Sequence, residues 1–425
     1  MPLIETDSAR LPVSPAAFAA RMAALGPFEP APRIAVAVSG GADSLALALL
    51  ARDWSVARGG SVLGLVVDHR LRPESGDEAR CTMARLAHIG IGAKLLVLAL
   101  ERGSGLAERA REARYRILAR ACAECGIVHL LLGHHAADQA ETVLIRAVSR
   151  SGPDGLAGMA ALRETRSLRL LRPLLDVPPG RLRTTLYQAG IDEWVEDRSN
   201  RDPRSQRARL RALRADHAGV GEASFALSAA ARARGSARAV ADRGRAAALA
   251  ERVTLRPEGF AVLRPGAIDA GALAALIQLI SGSPYPPSPV QVAELAAFPR
   301  PATIGGARLL PAGRLRPGLL VVREAAAMAG RVPASDGHWD GRFRLLRPQQ
   351  LEPGLTLGPL GADAARLRRY ANWPSAVLLT LPALRHGEEL VAVPHIGYPE
   401  TERCARIEIG FCPPNPLACA AFLPA

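Results

Sequence analysis

The chain has 425 residues, 49% of them hydrophobic, and 54 basic against 40 acidic residues give it a formal net charge of +14. This length favours two or three folded domains, the hydrophobic content excludes a disordered chain, and no apolar run reaches the roughly 18 residues of a membrane-spanning helix. The excess of basic over acidic residues favours a polyanionic partner. All but one of the basic residues are arginine, and a GC-rich coding bias explains that ratio.

Between residues 31 and 150, short apolar runs alternate with longer amphipathic segments. The apolar runs, which predict β-strands, are residues 34–38, 62–67, 94–98 and 128–132. The longer segments, which predict helices, are residues 44–57, 75–89, 104–125 and 136–150. This alternation predicts an α/β fold, a Rossmann-like parallel sheet covered on both faces. Ligands of such sheets bind beyond the carboxyl ends of the strands.

The composition changes beyond residue 215. Alanine-rich segments at 223–250 and 270–279 predict a small helical domain over residues 216–300. The arginines of the first segment suit either a nucleic acid or an ordinary solvated surface. From residue 301 to 425, proline, glycine and short apolar runs predict a small α+β or β-rich domain. We therefore expect three domains, the first covering residues 1–215.

The turn after the first predicted strand indicates a phosphate site. Its residues are Ser39, Gly40, Gly41, Ala42, Asp43 and Ser44. The glycines allow close approach of the backbone, and the start of the following helix offers N–H groups to an anion. A carboxylate beside a phosphate implies a bridging magnesium ion at Asp43, unless Asp43 or Ser44 merely caps the helix. Because Lys94 is the only lysine and lies in no Walker-type motif, a Walker P-loop is excluded, and no GxGxxG fingerprint follows the strand.

Polar residues also follow two other predicted strands. Asp68 and His69 end the second strand, where a simple strand-terminating turn is the alternative. After the fourth strand, residues 133–142 (GHHAADQAET) place Asp138 and Glu141 on one face of a helix start. These two acids could bind a metal or an ammonium group, or could only cap the helix. Zinc is not favoured, because no thiolate is close in sequence.

The third predicted helix carries two further features. Arg111 and Arg114 share a face that could clamp a phosphate or simply be solvated. Cys122 and Cys125 form a C-x-x-C that could be redox-active or hold a metal, although a buried helix face is favoured. The six cysteines are too sparse for a disulfide framework, and the N-terminal residues do not have the pattern of a signal peptide, so we expect a cytoplasmic location.

Four segments together resemble one family in order and spacing. SGGADS, VDHRLR, AREARY and HHAADQAET are similar to the corresponding segments of the bacterial tRNA(Ile)-lysidine synthetases, members of the PP-loop ATP pyrophosphatase superfamily. The segments RSGPDGLAGM, RPLL and EDRSN also fit. The likeness is specific over residues 33–211 and looser beyond.

The resemblance implies that ATP adenylates the wobble cytidine of an isoleucine tRNA at its C2 oxygen, and that free lysine then displaces AMP to give lysidine. The turn after the first strand would cradle the phosphates of ATP, with Asp43 on magnesium, while Asp68 and His69 would hold the adenosine end. Arg111 would neutralise charge at the α-phosphate. The remaining implied roles are lysine binding by Asp138 and Glu141 and tRNA binding by Arg207, Arg209 and Arg211.

Two departures and two rival functions accompany this interpretation. Ala137 stands where the family has the first of two aspartates, and Ala208 stands where it has an asparagine. A PP-loop tRNA thiolase would use Cys122 and Cys125, and a basic RNA-binding protein could retain a vestigial ATP site.

In the lysidine synthetase interpretation, the helical and C-terminal domains would contact the tRNA. The oligomeric state stays open, with a homodimer as one alternative.

Overall fold

The structure, a computed structural model, describes residues 11–70, 73–98, 105–165, 167–195, 222–315, 317–348, 351–401, 406–418 and 422–424. The chain divides into two compact units, Met1–Ala241 with Ala420–Ala425, and Asp242–Cys419. No helix in the described ranges is long and apolar enough to cross a membrane.

The first unit is built on a largely parallel sheet flanked by helices. Its strands are β1 (Arg33–Val38), β2 (Ser61–Asp68), β3 (Gly92–Val97), β4 (His129–Leu132), β5 (Leu162–Glu164) and β6 (Arg169–Leu171). Its helices are α1 (Pro15–Ala24), α2 (Ala42–Val56), α3 (Ser75–His88), α4 (Leu106–Glu124), α5 (Ala136–Val148), α6 (Pro153–Leu156) and α7 (Pro179–Gln188). The strand order is β3-β2-β1-β4-β6-β5, and only the edge strand β5 is antiparallel to its neighbour.

The central strand β1 shows why the sheet could be predicted from the sequence. Ile34 and Val36 pack into a core that includes α2, whereas Ala35 faces a second core that includes Leu118 and Cys122 of α4. A strand with both faces covered is apolar, as observed here from Ile34 to Val38. The predicted α/β fold is confirmed. Each of the four predicted strands and four predicted helices begins and ends within two residues of the corresponding observed element.

The second unit combines helices with three small antiparallel sheets. A long helix, α8 (Glu222–Arg252), leads into it, followed by α9 (Ala270–Ser281), α10 (Pro289–Ala297) and α11 (Ser375–Leu378). Its strands are β7 (Val253–Arg256), β8 (Phe260–Leu263), β9 (Ala302–Ile304), β10 (Ala307–Pro311), β11 (Leu319–Arg323), β12 (Val332–Pro333), β13 (His338–Trp339), β14 (Phe343–Leu345), β15 (Leu355–Pro359), β16 (Pro382–His386), β17 (Glu389–Ala392) and β18 (Ile409–Phe411). The sheets have the orders β7-β8-β11-β10-β9, β12-β15-β16-β17 and β13-β14-β18.

The expected division at residue 300 is not where the structure divides. Strand β8 pairs with β11, with Leu263 opposite Leu319, so one sheet takes strands from both sides of that position. In the structure, residues 242–300 and 301–419 belong to one compact unit. The sequence prediction missed β7 and β8 because a hairpin of two four-residue strands gives only a weak apolar signal.

A buried cluster of charged side chains links several elements within the second unit. The Asp340 side chain is 2% exposed and accepts hydrogen bonds from Arg342 Nε at 2.7 Å and from Arg323 Nη2 at 3.0 Å. It also accepts one from the backbone N–H of Ala329 at 2.8 Å. The Arg342 side chain is fully buried. One carboxylate therefore binds two arginines and ties β11 to the turn between β13 and β14.

We expect Asp340→Asn to destabilise the second unit by about 3–5 kcal/mol, because it leaves buried guanidinium charge without a partner. Denaturant unfolding of the full chain measures this loss. Glu388→Gln is the matched control, since Glu388 pairs with Arg331 on the exposed surface of the same unit and its removal should leave the unfolding midpoint unchanged. Equal midpoints for wild type and Asp340→Asn would contradict the prediction.

Candidate active site

The turn between β1 and α2 presents backbone groups at the helix start. Gly41 is the N-cap residue of α2, and no side chain caps this end of the helix. The buried Ser44 hydroxyl donates to Gly41 O at 3.0 Å and accepts from the Ser39 N–H at 3.2 Å, so it shapes the turn. The Asp43 side chain is 36% exposed. Helix capping by Asp43 or Ser44, the alternative left open by the sequence, is therefore not observed.

Gly40 holds this turn in a conformation that suits only glycine. Its φ is +86°, and a Cβ atom at this position would lie 2.3 Å from Thr82 Oγ1 on α3 and 3.0 Å from Val195 Cγ2. The Gly40 carbonyl accepts a hydrogen bond from the Val195 N–H at 2.9 Å. The turn is thus clamped between α3 and the residue that precedes the EDRSN segment, which lies outside the described residues.

The turn between β4 and α5 packs directly against the first turn. A Cβ atom on Gly133 would lie 3.1 Å from Ser44 Cα, so a larger residue would push the two turns apart. The buried ring of His135 lies between two carboxylates, with Nε2 at 3.4 Å from Asp43 Oδ2 and 3.6 Å from Asp138 Oδ2. The structure therefore brings Asp43 and Asp138 together around one imidazole.

The electrostatics of this site favour positive charge. Burial lowers the pKa of His135, but the carboxylates of Asp138, Asp43 and Glu141 outweigh burial and raise that pKa to about 8. The ring is therefore mostly protonated at neutral pH. Glu141 is 1% exposed, which places its carboxylate inside the protein one turn along α5. A group of acids that holds an imidazolium can also hold an ammonium group or a metal ion.

His135 is the functional residue that sequence reasoning missed. The motif contained it, but spacing alone gave it no role, because its contact with Asp43 joins positions 92 residues apart in the sequence. Asp138 also accepts a hydrogen bond from the His135 backbone N–H at 3.1 Å. Ala137, the departure from the family pattern, is buried, so the carboxylate that faces His135 belongs to Asp138.

Asp68 and His69 lie at the carboxyl end of β2, as expected. The buried Asp68 accepts hydrogen bonds on Oδ1 from Ser75 Oγ at 2.6 Å and from the Arg70 N–H at 2.9 Å. Burial raises the pKa of Asp68, but these hydrogen bonds outweigh it and the pKa is lowered. Burial and the nearby charge of Arg114 lower the pKa of His69. Asp68 thus fixes the turn after β2, at the carboxyl edge of the sheet where His69 follows it.

The remaining predicted residues fall into two groups. Arg111 is exposed on α4, with its guanidinium carbon 5.5 Å from the ring centre of Tyr115. Arg207, Arg209 and Arg211 lie outside the described residues.

The C-x-x-C motif lies on the core-facing side of α4. Cys122 is fully buried in the core, and burial, followed by the influence of Cys125, raises the pKa of its thiol to about 12. Within the described ranges, no group of three or more His, Cys, Asp or Glu side chains is arranged to hold a metal ion. The buried-face interpretation of this motif therefore fits the structure better than a redox or cluster site.

Comparison with known sequences agrees with this geometry. The profile of the PP-loop domain family matches residues 16–215. This places the first unit in the class of PP-loop ATP-using domains.

Three relatives narrow the class. The tRNA(Ile)-lysidine synthase of Ruegeria pomeroyi is 35% identical over 383 residues, which cover 87% of this chain and 90% of the relative. That of a Methylobacterium species is 37% identical over 338 residues, covering 73% and 95%. That of a Bradyrhizobium species is 45% identical over 206 residues, covering 48% of this chain and 56% of the relative. The chain belongs to the tRNA(Ile)-lysidine synthase family.

Among solved structures, a U34-tRNA thiolase from Methanococcus maripaludis with its [4Fe-4S] cluster is 16% identical, with a TM-score of 0.42. The match covers 49% of this chain and 75% of the thiolase chain.

Proposed function

We propose that this protein is an ATP-dependent ligase that joins free lysine to the wobble cytidine of an isoleucine tRNA. The observation that carries the proposal is the meeting of two turns at His135. The phosphate turn after β1 and the acidic turn after β4 contribute Asp43 and Asp138 to one site. A nucleotide and an amine bound to these turns would be neighbours. Membership of the tRNA(Ile)-lysidine synthase family supports this choice of substrates.

The first half-reaction would use the phosphate turn. The N–H groups at the start of α2 and the positive end of its dipole would hold the phosphates of ATP. The C2 oxygen of the cytidine would attack the α-phosphorus, and pyrophosphate would leave. Arg111 would stabilise the charge that develops on the α-phosphate.

Magnesium would be held by Asp43. The carboxylate is a hard oxygen donor, it is partly exposed, and it lies in the first turn of α2, so it fits this ion. Bound magnesium would neutralise phosphate charge and orient the leaving pyrophosphate.

The second half-reaction would use the acids of α5. Asp138 and Glu141 would hold the ammonium group at one end of lysine, which leaves the other amine to attack C2 of the adenylated cytidine. The new bond joins that nitrogen to C2, the bond between C2 and the phosphorylated oxygen breaks, and AMP leaves. The attacking amine loses its protons to water or to a neighbouring base.

Mass spectrometry of tRNA nucleosides tests the proposal. Unmodified isoleucine tRNA is incubated with the full-length protein, ATP and lysine, then digested to nucleosides. The expected product is a cytidine that has gained lysine and lost water, and it requires both ATP and lysine. A thiolated nucleoside, or an unmodified cytidine despite pyrophosphate release that depends on tRNA, would contradict the proposal.

The tRNA would be bound largely through its phosphates. Helix α8 carries exposed arginines whose charge suits a polyanion; these are Arg232, Arg234 and Arg243. Phosphate contacts supply affinity, whereas unstacked bases of the anticodon loop supply specificity.

We expect the affinity for tRNA to fall steeply between about 50 and about 200 mM salt, since four or more arginine–phosphate contacts give a logarithmic slope of about −3 or steeper. Filter binding or fluorescence anisotropy measures the dissociation constant. Arg232→Ala should reduce the slope by about one. Arg120→Ala should leave the slope unchanged. Arg120 is exposed, pairs with Glu124 and lies at the end of α4 opposite the phosphate turn. A flat response for the wild type would mean that the net charge does not reflect tRNA binding.

A further inference from the structure

We propose that Arg172, together with Tyr115, forms the buried half of a phosphate-binding site whose exposed half is Arg111. The proposal deepens the adenylation step and in that respect rests on the function proposed above. Arg172 would act as a positioning residue, since its charge would draw the phosphate onto Arg111 and the neighbouring turns.

The sheet topology places Arg172 at the edge where ligands bind. It is the residue directly after β6, and β6 pairs in parallel with β4, which in turn pairs with β1. The turns after β1 and β4 are the two that meet at His135. The carboxyl ends of three adjacent parallel strands therefore lead to the phosphate turn, the acidic turn and Arg172.

The contacts of Arg172 fix the side chain without neutralising it. The residue is 6% exposed, and its Nη1 donates to the Ala160 carbonyl at 2.9 Å. Its Nε is buried and has no hydrogen-bond partner in the described part of the chain. Among the described residues, the charged or ionisable neighbours of its guanidinium are Tyr115, Arg163 and Arg111, and no carboxylate is among these.

Positive charge accumulates around the ring of Tyr115. The guanidinium carbons of Arg111 and Arg114 lie 5.5 Å and 5.7 Å from the ring centre. Burial raises the pKa of the Tyr115 phenol, yet the charges of Arg172, Arg111 and Arg114 outweigh burial and lower that pKa. Two exposed or partly exposed arginines thus lie against the ring of Tyr115, and Arg172 adds a third positive charge nearby.

A buried guanidinium without a counterion is unfavourable in the free protein. The missing negative charge is therefore best supplied by a ligand, and phosphate is the anion that arginines bind most readily through paired hydrogen bonds. Two sources share this chemistry, the phosphates of the nucleotide and the phosphates of the tRNA backbone. Because Arg172 lies at the same carboxyl edge of the sheet as the phosphate turn, with β4 between their two strands, we assign it to the nucleotide.

Binding of inorganic pyrophosphate to the full-length protein tests this assignment. Isothermal titration should show pyrophosphate affinity about tenfold or more weaker for Arg172→Met, whereas Arg172→Lys, which keeps the charge, should retain most of it. Arg172→Gln keeps a donor for the Ala160 carbonyl and gives the same comparison if the methionine variant does not fold.

Arg169→Met is the matched control on the same strand. Arg169 donates to the carbonyls of Leu25, Gly26 and Pro27 at 2.7–2.9 Å, at the opposite end of β6. This variant should lower the unfolding temperature but leave pyrophosphate affinity within about twofold of wild type. If Arg172→Met behaves in the same way, with a lower unfolding temperature and unchanged pyrophosphate affinity, Arg172 is merely structural and the proposal is overturned.

Kinetics distinguish the source of the phosphate. We expect Arg172→Met to raise the KM for ATP in tRNA-dependent pyrophosphate release, with little change in the dissociation constant of tRNA. A change in tRNA affinity alone would overturn the assignment to the nucleotide. If wild type makes no lysidine but its pyrophosphate affinity still depends on Arg172, the proposed function fails and the phosphate site stands.

Discussion

Asp43→Ala is expected to abolish both pyrophosphate release and lysidine formation while leaving the fold intact. Asp43 does not cap α2, because Gly41 is the N-cap residue, so the change removes an acid from the first helical turn and one of the two carboxylates beside His135, while Asp138 remains. The loss of the acid from the helix start costs about 0.3–1 kcal/mol of stability. In the proposed reaction Asp43 holds the magnesium ion that positions the phosphates for adenylation, so the rate should fall by at least about 100-fold.

Pyrophosphate release and thermal unfolding, measured on the same preparation, separate these two effects. Asp53→Ala is the matched control, because Asp53 lies on the same helix and forms an exposed pair with Arg52. It should retain wild-type activity. Near-normal adenylation by Asp43→Ala would show that Asp43 does not hold magnesium for this reaction.

The first unit was predictable because its signals are local. Strands such as β1 have an apolar run of residues because both faces of the sheet are covered. The helices that follow these strands are long enough for the spacing of their apolar residues to be recognised in the sequence. Strands β5 and β6, with three residues each, are too short to give such a signal. In the second unit, the pairing of Leu263 with Leu319 joins positions 56 residues apart, and no local pattern specifies it.

The residues of the candidate site also differ in whether local sequence or long-range packing identifies them. The phosphate turn and the pair formed by Asp138 and Glu141 are contiguous motifs, so the sequence was enough to single them out. The role of His135 depends on how two turns pack, and that of Arg172 depends on its strand lying beside β4. Such roles arise from tertiary structure. The motifs that contain these side chains do not specify how their turns and strands pack against the rest of the sheet.

The acids of α5 lead to the second large expected effect, a separation of the two half-reactions. Asp138→Asn and Glu141→Gln preserve shape but remove charge, and a buried ammonium group without a partner costs a few kcal/mol. We expect the lysine requirement to rise by about 100-fold in each variant. Adenylation of the tRNA should persist, because that step needs only ATP, magnesium and the cytidine.

The measurement is to accumulate adenylated tRNA without lysine, isolate the complex, and then titrate lysine while following lysidine formation. Asp154→Asn is the control, since Asp154 is an exposed acid in the first turn of α6 and should leave both steps unchanged. If Asp138→Asn and Glu141→Gln lose adenylation together with the lysine response, these acids serve ATP or magnesium. If neither variant changes either step, they act only in the structure of the helix start, and the lysine pocket must be sought elsewhere along the carboxyl edge of the sheet.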